Sequence, residues 1–292
     1  MKPADSPGLR RRFGRFLFAP ANAAAVGGVR IGLAMLLMYI FRSQQGWQFS
    51  GRLDYPFVRD LYTNIFHTNA YWWLYMGLLV LFGLGIRARV VGLLLLPVLA
   101  PLALHLHSIA GRYIVLCLLL GFVWLRSDSR LSVAALWRPG PPPPAGPMWP
   151  IRLMQIQVSL IYAVNAFAKS SPAYLSGDVL MALSMTLPNF LIDASDGYVR
   201  VWGLTVPVWL AAPASTAAEW ILALGLWFPR WRLAVAIFGV LFHILLKSIV
   251  QIGGLDHLSM LLYSLFFIPF ERPEAEAPAS GPSAGRQSAL SS

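Results

Sequence analysis

A few polar and ionisable side chains lie within otherwise apolar stretches of this chain. They are Arg30, Tyr162, Asn165, Lys169, Glu219 and His243. Tyr162, Asn165 and Lys169 are spaced at i, i+3 and i+7, which places them on one stripe of an α-helix. A lysine in a low-dielectric site is a candidate general base, because burial disfavours its ammonium form. The residue types therefore predict acid–base chemistry or proton transfer inside a hydrophobic environment.

Structural roles are open for several of the same residues. Arg30 lies well inside its apolar run, where an arginine usually faces a partner, and Glu219 is one candidate partner. His243 and Lys247 are four residues apart and share one helical face. Lys247 is close to the end of its run, so its ammonium group can reach the membrane surface by snorkelling.

The composition identifies the kind of protein that must position these residues. The chain has 292 residues, of which 57% are hydrophobic and only 12% are Asp, Glu, Lys or Arg. Soluble domains carry about 25% charged residues, so an ordinary soluble enzyme is excluded, as are a disordered chain and a collagen-like fibre. The single cysteine, Cys117, excludes an internal disulfide framework and a thiolate metal cluster. The composition predicts an all-α, polytopic integral membrane helical bundle.

The apolar runs and their flanking charges predict about eight transmembrane helices. The runs are 22–42, 69–86, 89–108, 111–126, 151–169, 214–229, 232–250 and 255–270. Residues 198–212 are interrupted by Pro207 and Pro213, which favours an interfacial or re-entrant piece over a full span. Most of the 23 basic residues fall in alternate loops, which predicts that both termini are cytoplasmic. The net charge of +11 is then a topological signal, and no nucleic-acid partner is expected.

The remaining segments predict a simple domain organisation. Residues 1–19 form a basic N-terminal segment in which 9–19 is amphipathic, and 20–270 form the transmembrane domain. A proline-rich cytoplasmic linker, 139–150, lies within that domain, and 271–292 is expected to be a disordered tail. The two longest outer segments, 43–68 and 170–213, are expected to roof any site that faces away from the cytoplasm.

Motifs of soluble enzymes are absent from the sequence. It has no Gly-rich phosphate loop, no His-Glu-x-x-His and no Gly-x-Ser-x-Gly elbow. His105 and His107 are two residues apart, so on a helix they point in nearly opposite directions and a shared metal ion is not expected. The residues alone thus predict a polytopic membrane protein with a polar cluster that opens outward and no evident metal site.

One run of residues adds a family resemblance. The segment from Arg152 to Lys169, followed by Tyr174-Leu-Ser-Gly177, has a Gln-rich apolar helix with a tyrosine, then a lysine, then an aromatic residue and a glycine. It resembles the signature of the HTTM (horizontally transferred transmembrane) family, the bacterial relatives of vitamin K-dependent gamma-glutamyl carboxylase. Weaker blocks agree in order: Val29-Arg30-Ile31-Gly32, Leu84-Gly85-Ile86-Arg87, Leu131-Ser132-Val133, Glu219, Arg232, Phe242-His243 and Ile252-Gly253. The resemblance covers residues 20–270.

The resemblance implies a specific chemistry. In the carboxylase, the lysine in the place of Lys169 is regarded as the base that deprotonates reduced vitamin K, after which a glutamyl γ-proton is removed and CO2 is added. It therefore implies a carboxylase-like, multi-pass enzyme of the bacterial inner membrane that uses a reduced lipid quinone on an extracytoplasmic substrate. Lys169 and His243 would be catalytic, with Tyr162, Asn165, Glu219 and Arg30 in support.

The sequence also departs from the carboxylase, and two other functions stay open. Ala168 stands where the carboxylase has a second lysine, and Glu219 stands where it has an aspartate. The first alternative is a membrane maturation partner for an exported peptide or toxin, with a peptide or a second membrane protein bound by the helices. The second is a proton-coupled transporter in which Lys169, His243 and Glu219 relay protons.

Overall fold

Apolar helices make up most of the chain in the computed structural model, which describes residues 9–41, 69–105, 119–186, 194–250 and 255–271. The helices before the proline-rich linker are α1 (Leu9–Phe18), α2 (Ala23–Phe41), α3 (Asn69–Leu84), α4 (Ala88–His105) and the short α5 (Val133–Leu136), and residues 119–124 are also helical. After the linker come α6 (Trp149–Ala168), α7 (Pro172–Leu175), α8 (Asp178–Thr186), β1 (Tyr198–Val201), β2 (Leu204–Pro207), α9 (Val208–Gly225), α10 (Arg232–Ile249) and α11 (Leu255–Tyr263), which continues as a 3₁₀ turn (Ser264–Phe267).

Three of these helices are long and apolar enough to cross a membrane. They are α6, α9 and α10, with 20, 18 and 18 residues. Shorter apolar helices occur within α2, α3, α4 and the last helical segment, and each overlaps a run that the sequence marks as apolar. The prediction of a mostly helical protein with helices suited to a membrane is therefore confirmed, by the length and apolar composition of these helices.

Residues 198–212 differ from the prediction. Strands β1 and β2 form an antiparallel hairpin in which Val201 pairs with Leu204. Trp202 and Gly203 between them both have positive φ, of 51° and 79°, as a tight type I′ turn requires. Helix α9 then begins at Val208, so residues 198–212 are a hairpin followed by the first turn of a helix, and the all-α description needs a small two-stranded sheet.

The two prolines explain the revised boundary. Pro207 has φ −60° and ψ 141° and forms the N-cap of α9, where its missing N–H is of no consequence. Pro213 lies inside α9 and is accommodated there, so the helix extends six residues further toward its N-terminus than the predicted run 214–229.

The proline-rich linker is attached to the start of α2. The Ala21 amide donates to the Gly146 carbonyl at 2.9 Å, and the Met148 amide donates to the Ala19 carbonyl at 3.0 Å. Helix α6 starts directly afterwards at Trp149 with a proline in its first turn, two residues before the predicted span. The predicted amphipathic segment forms α1, which lies on α6 with the Arg152 guanidinium 4.1 Å from the centre of the Phe16 ring. The predicted tail after Glu271 lies outside the described residues.

Arg30 is completely buried and connects three segments of the chain. Its guanidinium donates to the carbonyl oxygens of Ser127 and Leu131, and to that of Gly83 at 3.2 Å. A buried carbonyl needs a donor, and Arg30 supplies one to the last turn of α3, at Gly83, and two to the loop that contains Ser127 and Leu131. Glu219 is not its partner, because that carboxylate contacts Lys169 instead. Arg30 thus has the structural role.

We expect Arg30→Leu to lower the free energy of unfolding in detergent by at least about 3 kcal/mol, because several buried acceptors lose their donor. Thermal unfolding of the purified full chain measures the effect. Arg138→Leu is the matched control, since Arg138 is exposed, and it should change the midpoint by little. Equal losses in the two variants would contradict this role for Arg30.

Candidate functional site

A cavity of about 380 Å³ lies among α6, α9, α10 and α11, and it collects most of the residues singled out in the sequence. Its walls include apolar side chains such as Val158, Leu180 and Val199. The polar side chains that line it are Tyr162, Asn165, Lys169, Tyr174, Ser215, Glu219, His243 and Ser259. All the predicted site residues except Arg30 are therefore brought to one apolar cavity.

Lys169 and Glu219 form an ion pair at the wall of this cavity. The Lys169 Nζ atom is 2.7 Å from Oε1 of Glu219. The glutamate side chain is 5% exposed and the lysine side chain 28%, so the carboxylate is buried and the amine is the more accessible partner. The hydrogen bond from Nζ to Oε1 joins the two side chains directly, so they form one unit at the cavity wall.

Helix α9 holds Lys169 by its backbone as well as by its side chain. Lys169 is the C-cap of α6, and its amide donates to the Asn165 carbonyl at 3.0 Å. Its own carbonyl accepts a hydrogen bond of 3.3 Å from the Thr216 hydroxyl, one turn before Glu219. The Tyr174 ring centre lies 5.7 Å from Nζ, within range of a cation–π contact. The amine position is thus defined from three sides.

The second oxygen of Glu219 is available as an acceptor. Oε2 is buried and has no hydrogen-bond partner within the part of the chain that the structure describes. An ionised carboxylate has about four lone-pair positions, and the contact with Lys169 uses only Oε1. A buried acceptor without a donor is unfavourable, so Oε2 favours the entry of a hydrogen-bond donor into this region.

A second polar cluster is centred on Tyr162. Its hydroxyl lies 2.7 Å from Nε2 of His243 and 2.7 Å from the hydroxyl of Tyr263. All three side chains are buried. When Nε2 carries no proton, Tyr162 donates to His243 and accepts from Tyr263, which gives a continuous hydrogen-bonded chain.

The two clusters occupy different levels of the cavity. Tyr162 and Lys169 are seven residues apart on α6, which corresponds to about 10 Å along the helix axis. Asn165 lies between them on the same wall, and most of the remaining lining side chains are hydrocarbon. The arrangement suits an elongated apolar ligand with polar groups, one of which meets the Lys169–Glu219 pair.

Several residues of the site escape sequence reasoning. Tyr263, Ser259 and Ser215 were not singled out, and Tyr174 was noted only as part of the signature, although all four contact the cavity or its polar side chains. A Cβ atom on Gly239 would lie 2.7 Å from the Tyr263 hydroxyl, so this glycine permits the close approach of α10 to α11. For Tyr263, the sequence feature that could have indicated a place in the site is its hydroxyl group inside the apolar run 255–270.

The described residues can also be compared with what a metal ion, or the quinone implied by the family resemblance, would need. In the described ranges, no three His, Cys, Asp or Glu side chains are grouped as a metal site would need. His67, His107 and Cys117 lie outside those ranges. A reduced lipid quinone fits the residues present, since the walls are apolar and the Lys169–Glu219 pair can bind a ring hydroxyl.

Comparison with known proteins adds no relative to this description. No protein-family model, curated protein or solved structure matches the chain.

Proposed function

We propose that this chain is a multi-pass membrane enzyme that removes a proton from an acidic hydroxyl of a lipid-soluble substrate, of the reduced quinone class, with Lys169 as the base. The observation that carries the proposal is the Lys169–Glu219 pair, 2.7 Å apart, at the wall of an apolar cavity. An exposed ion pair would be solvated, whereas this pair meets any ligand that fills the cavity.

The proton transfers can be assigned to named atoms. The resting pair is an ammonium and a carboxylate joined by the hydrogen bond from Nζ to Oε1. When an apolar ligand excludes water, the cost of holding two charges rises, and the proton moves from Nζ to Oε1. The neutral amine then accepts the hydroxyl proton of the substrate. The products of this step are a deprotonated substrate, an ammonium on Lys169 and a neutral carboxyl on Glu219.

The Tyr162 cluster would orient the other end of the ligand. The buried Tyr162 hydroxyl is held by two neighbours, so its direction is determined before the ligand arrives. His243 contacts that hydroxyl and lines the cavity, so it acts on the position and proton of Tyr162. Asn165 lies between Tyr162 and Lys169 on the same stripe of α6 and offers an amide to the same ligand.

The proposal extends to the membrane and to the second substrate. A reduced lipid quinone, when bound, would supply reducing equivalents to dioxygen, and its oxygenated form would be the strong base that carboxylase-like chemistry requires. We propose eight spans in a bacterial inner membrane with both termini cytoplasmic. Tyr174, Leu180 and Val199, from the segment expected outside the cytoplasm, line the cavity. This supports entry of an exported peptide substrate from that side.

Proton-coupled transport is the second candidate. It is favoured by the presence of two hydrogen-bonded polar clusters in one cavity between helices of spanning length. In a transporter the Lys169–Glu219 pair would change its protonation without chemical conversion of the ligand. The maturation-partner hypothesis has no specific observation in its favour.

We expect a lipid quinone to copurify with the full chain in mild detergent at close to one molecule per chain. Solvent extraction followed by liquid chromatography and mass spectrometry measures it against the bulk phospholipid. Ala211→Phe should expel the quinone, because Ala211 lines the cavity, and Ala214→Phe on the same helix is the matched control. A quinone-to-phospholipid ratio no higher than in the membrane extract would contradict the proposal. Ligand-driven proton flux in proteoliposomes without chemical conversion would favour the transporter.

A further inference from the structure

A second hollow of about 510 Å³ lies between α2, α3 and residues 131–136, and we call it the α2–α3 groove. It shares no lining residue with the Lys169 cavity. Among its described lining residues only Ser132 has a polar side-chain atom, and that hydroxyl donates to the Asp128 carbonyl at 2.6 Å and accepts from the Ala135 amide at 3.0 Å. The groove therefore offers its occupant a hydrocarbon surface, in a volume within the usual range of about 300–1,000 Å³ for ligand sites.

The walls of the groove are open to the surroundings. Met35 is 63% exposed, Leu131 54% and Leu136 83%. A large apolar surface of this kind marks a contact with a partner or with lipid. Because the groove lies along apolar helices of a membrane-type protein, a hydrocarbon chain is the occupant that its walls favour.

The loops at one end of the groove are held in an unusual conformation. Leu131 and Arg87 have φ values of 51° and 46°, in a region that side chains other than glycine rarely adopt. The Leu131 carbonyl accepts a hydrogen bond from the buried Arg30 guanidinium, so this loop is anchored to the protein core. Enforced backbone of this kind occurs preferentially at binding sites.

Exposed arginines lie on the segments next to the same end. The exposed arginines on the segments that border the groove include Arg87, Arg126, Arg130 and Arg138, and one acidic residue, Asp128, lies between two of them. Within the described residues, none of these four forms an ion pair with a carboxylate. Arg130 directly precedes the lining residue Leu131, and Arg87 follows the lining residue Leu84 by three positions. A ligand with a hydrocarbon chain and a negative end complements this surface.

We propose that the α2–α3 groove binds an anionic phospholipid, with one acyl chain in the groove and the headgroup phosphate held by Arg87 and Arg130. A neutral lipid would fill the groove and leave the arginines without an anion, and a zwitterionic lipid carries an ammonium group that cancels the charge of its phosphate, so an anionic lipid is the better complement to two arginines. A soluble phosphate compound would satisfy the arginines and leave the groove unfilled. The site is independent of the proposed chemistry at Lys169.

Native mass spectrometry of the full chain in detergent tests the proposal with phosphatidylglycerol and phosphatidylcholine of identical acyl chains. Each basic residue contributes about five-fold to affinity for an anionic lipid surface, so we expect roughly 25-fold tighter binding of phosphatidylglycerol. Arg87→Gln/Arg130→Gln should remove that preference. Arg230→Gln is the matched control, since Arg230 is also exposed and lies between α9 and α10, and it should keep the preference.

Two further measurements separate the chain from the headgroup. Met35→Trp fills the groove and should weaken binding of both lipids, with the arginines intact. Glycerol phosphate at the concentration of the lipid should not displace it. Equal binding of the two lipids by the unmodified chain would overturn the proposal, as would displacement by glycerol phosphate alone or an unchanged preference in the folded double-arginine variant.

Discussion

Lys169→Met is expected to reduce the rate of quinol-linked turnover by about 10²–10⁴-fold, the usual contribution of a general base. The methionine occupies a similar volume but has no proton acceptor. The expected loss is in kcat, with a smaller change in quinone binding, because the apolar walls that bind the ligand are retained. Single-turnover oxidation of the bound quinol after addition of dioxygen, followed by the absorbance of the quinol, measures the rate.

The control for this prediction must separate chemistry from folding. Lys169→Met leaves the Glu219 carboxylate without its cation, so a loss of activity in this variant could reflect damage to the fold. The double variant Lys169→Met/Glu219→Gln removes both charges and should restore stability without restoring turnover. Lys247→Met is the matched lysine control, because Lys247 is exposed and does not line the cavity. Full activity in the double variant would refute a base role for Lys169.

The second large effect is expected in the free energy of unfolding when the Lys169–Glu219 ion pair is broken. Lys169→Met alone should lower the free energy of unfolding by about 3 kcal/mol, because it leaves a buried charge without compensation. Glu219→Gln should cost less, because the Lys169 side chain is 28% exposed and its ammonium can be solvated. The double variant should lie close to the unmodified chain, since replacing a buried pair by neutral groups is often nearly neutral.

A double-mutant cycle measured by unfolding in detergent gives the coupling energy directly. The control cycle uses Arg200 and Asp196 at the hairpin, an ion pair whose side chains are 56% and 47% exposed. Arg200 lowers the pKa of Asp196 by hydrogen bonding, yet a solvated pair should show no measurable coupling to unfolding. Additive effects at Lys169 and Glu219 would show that the 2.7 Å contact does not stabilise the protein.

The helices and the polar stripe on α6 can be predicted from local sequence patterns. Apolar runs of 16 residues or more predict helices wherever they lie, because each helix satisfies its own backbone hydrogen bonds. The stripe of Tyr162, Asn165 and Lys169 follows from the helical repeat alone, and the structure places all three on the same cavity. Proline positions were harder to interpret: Pro207 caps a helix and Pro213 lies within it, which is decided by neighbouring strands and not by the residue type.

The pairing of the polar residues was decided only by the tertiary structure. The sequence left Glu219 as a candidate partner for Arg30, whereas the fold turns it to Lys169 and gives Arg30 three carbonyl partners, one at the end of α3 and two in the loop 127–131. Tyr263 reached Tyr162 because Gly239 allows α10 and α11 to approach closely. A sequence specifies which face of each helix is polar through short-range periodicity. The rotation and neighbour of each helix depend on packing between segments far apart in the chain, so the partner of a polar side chain is known only once the helices are assembled.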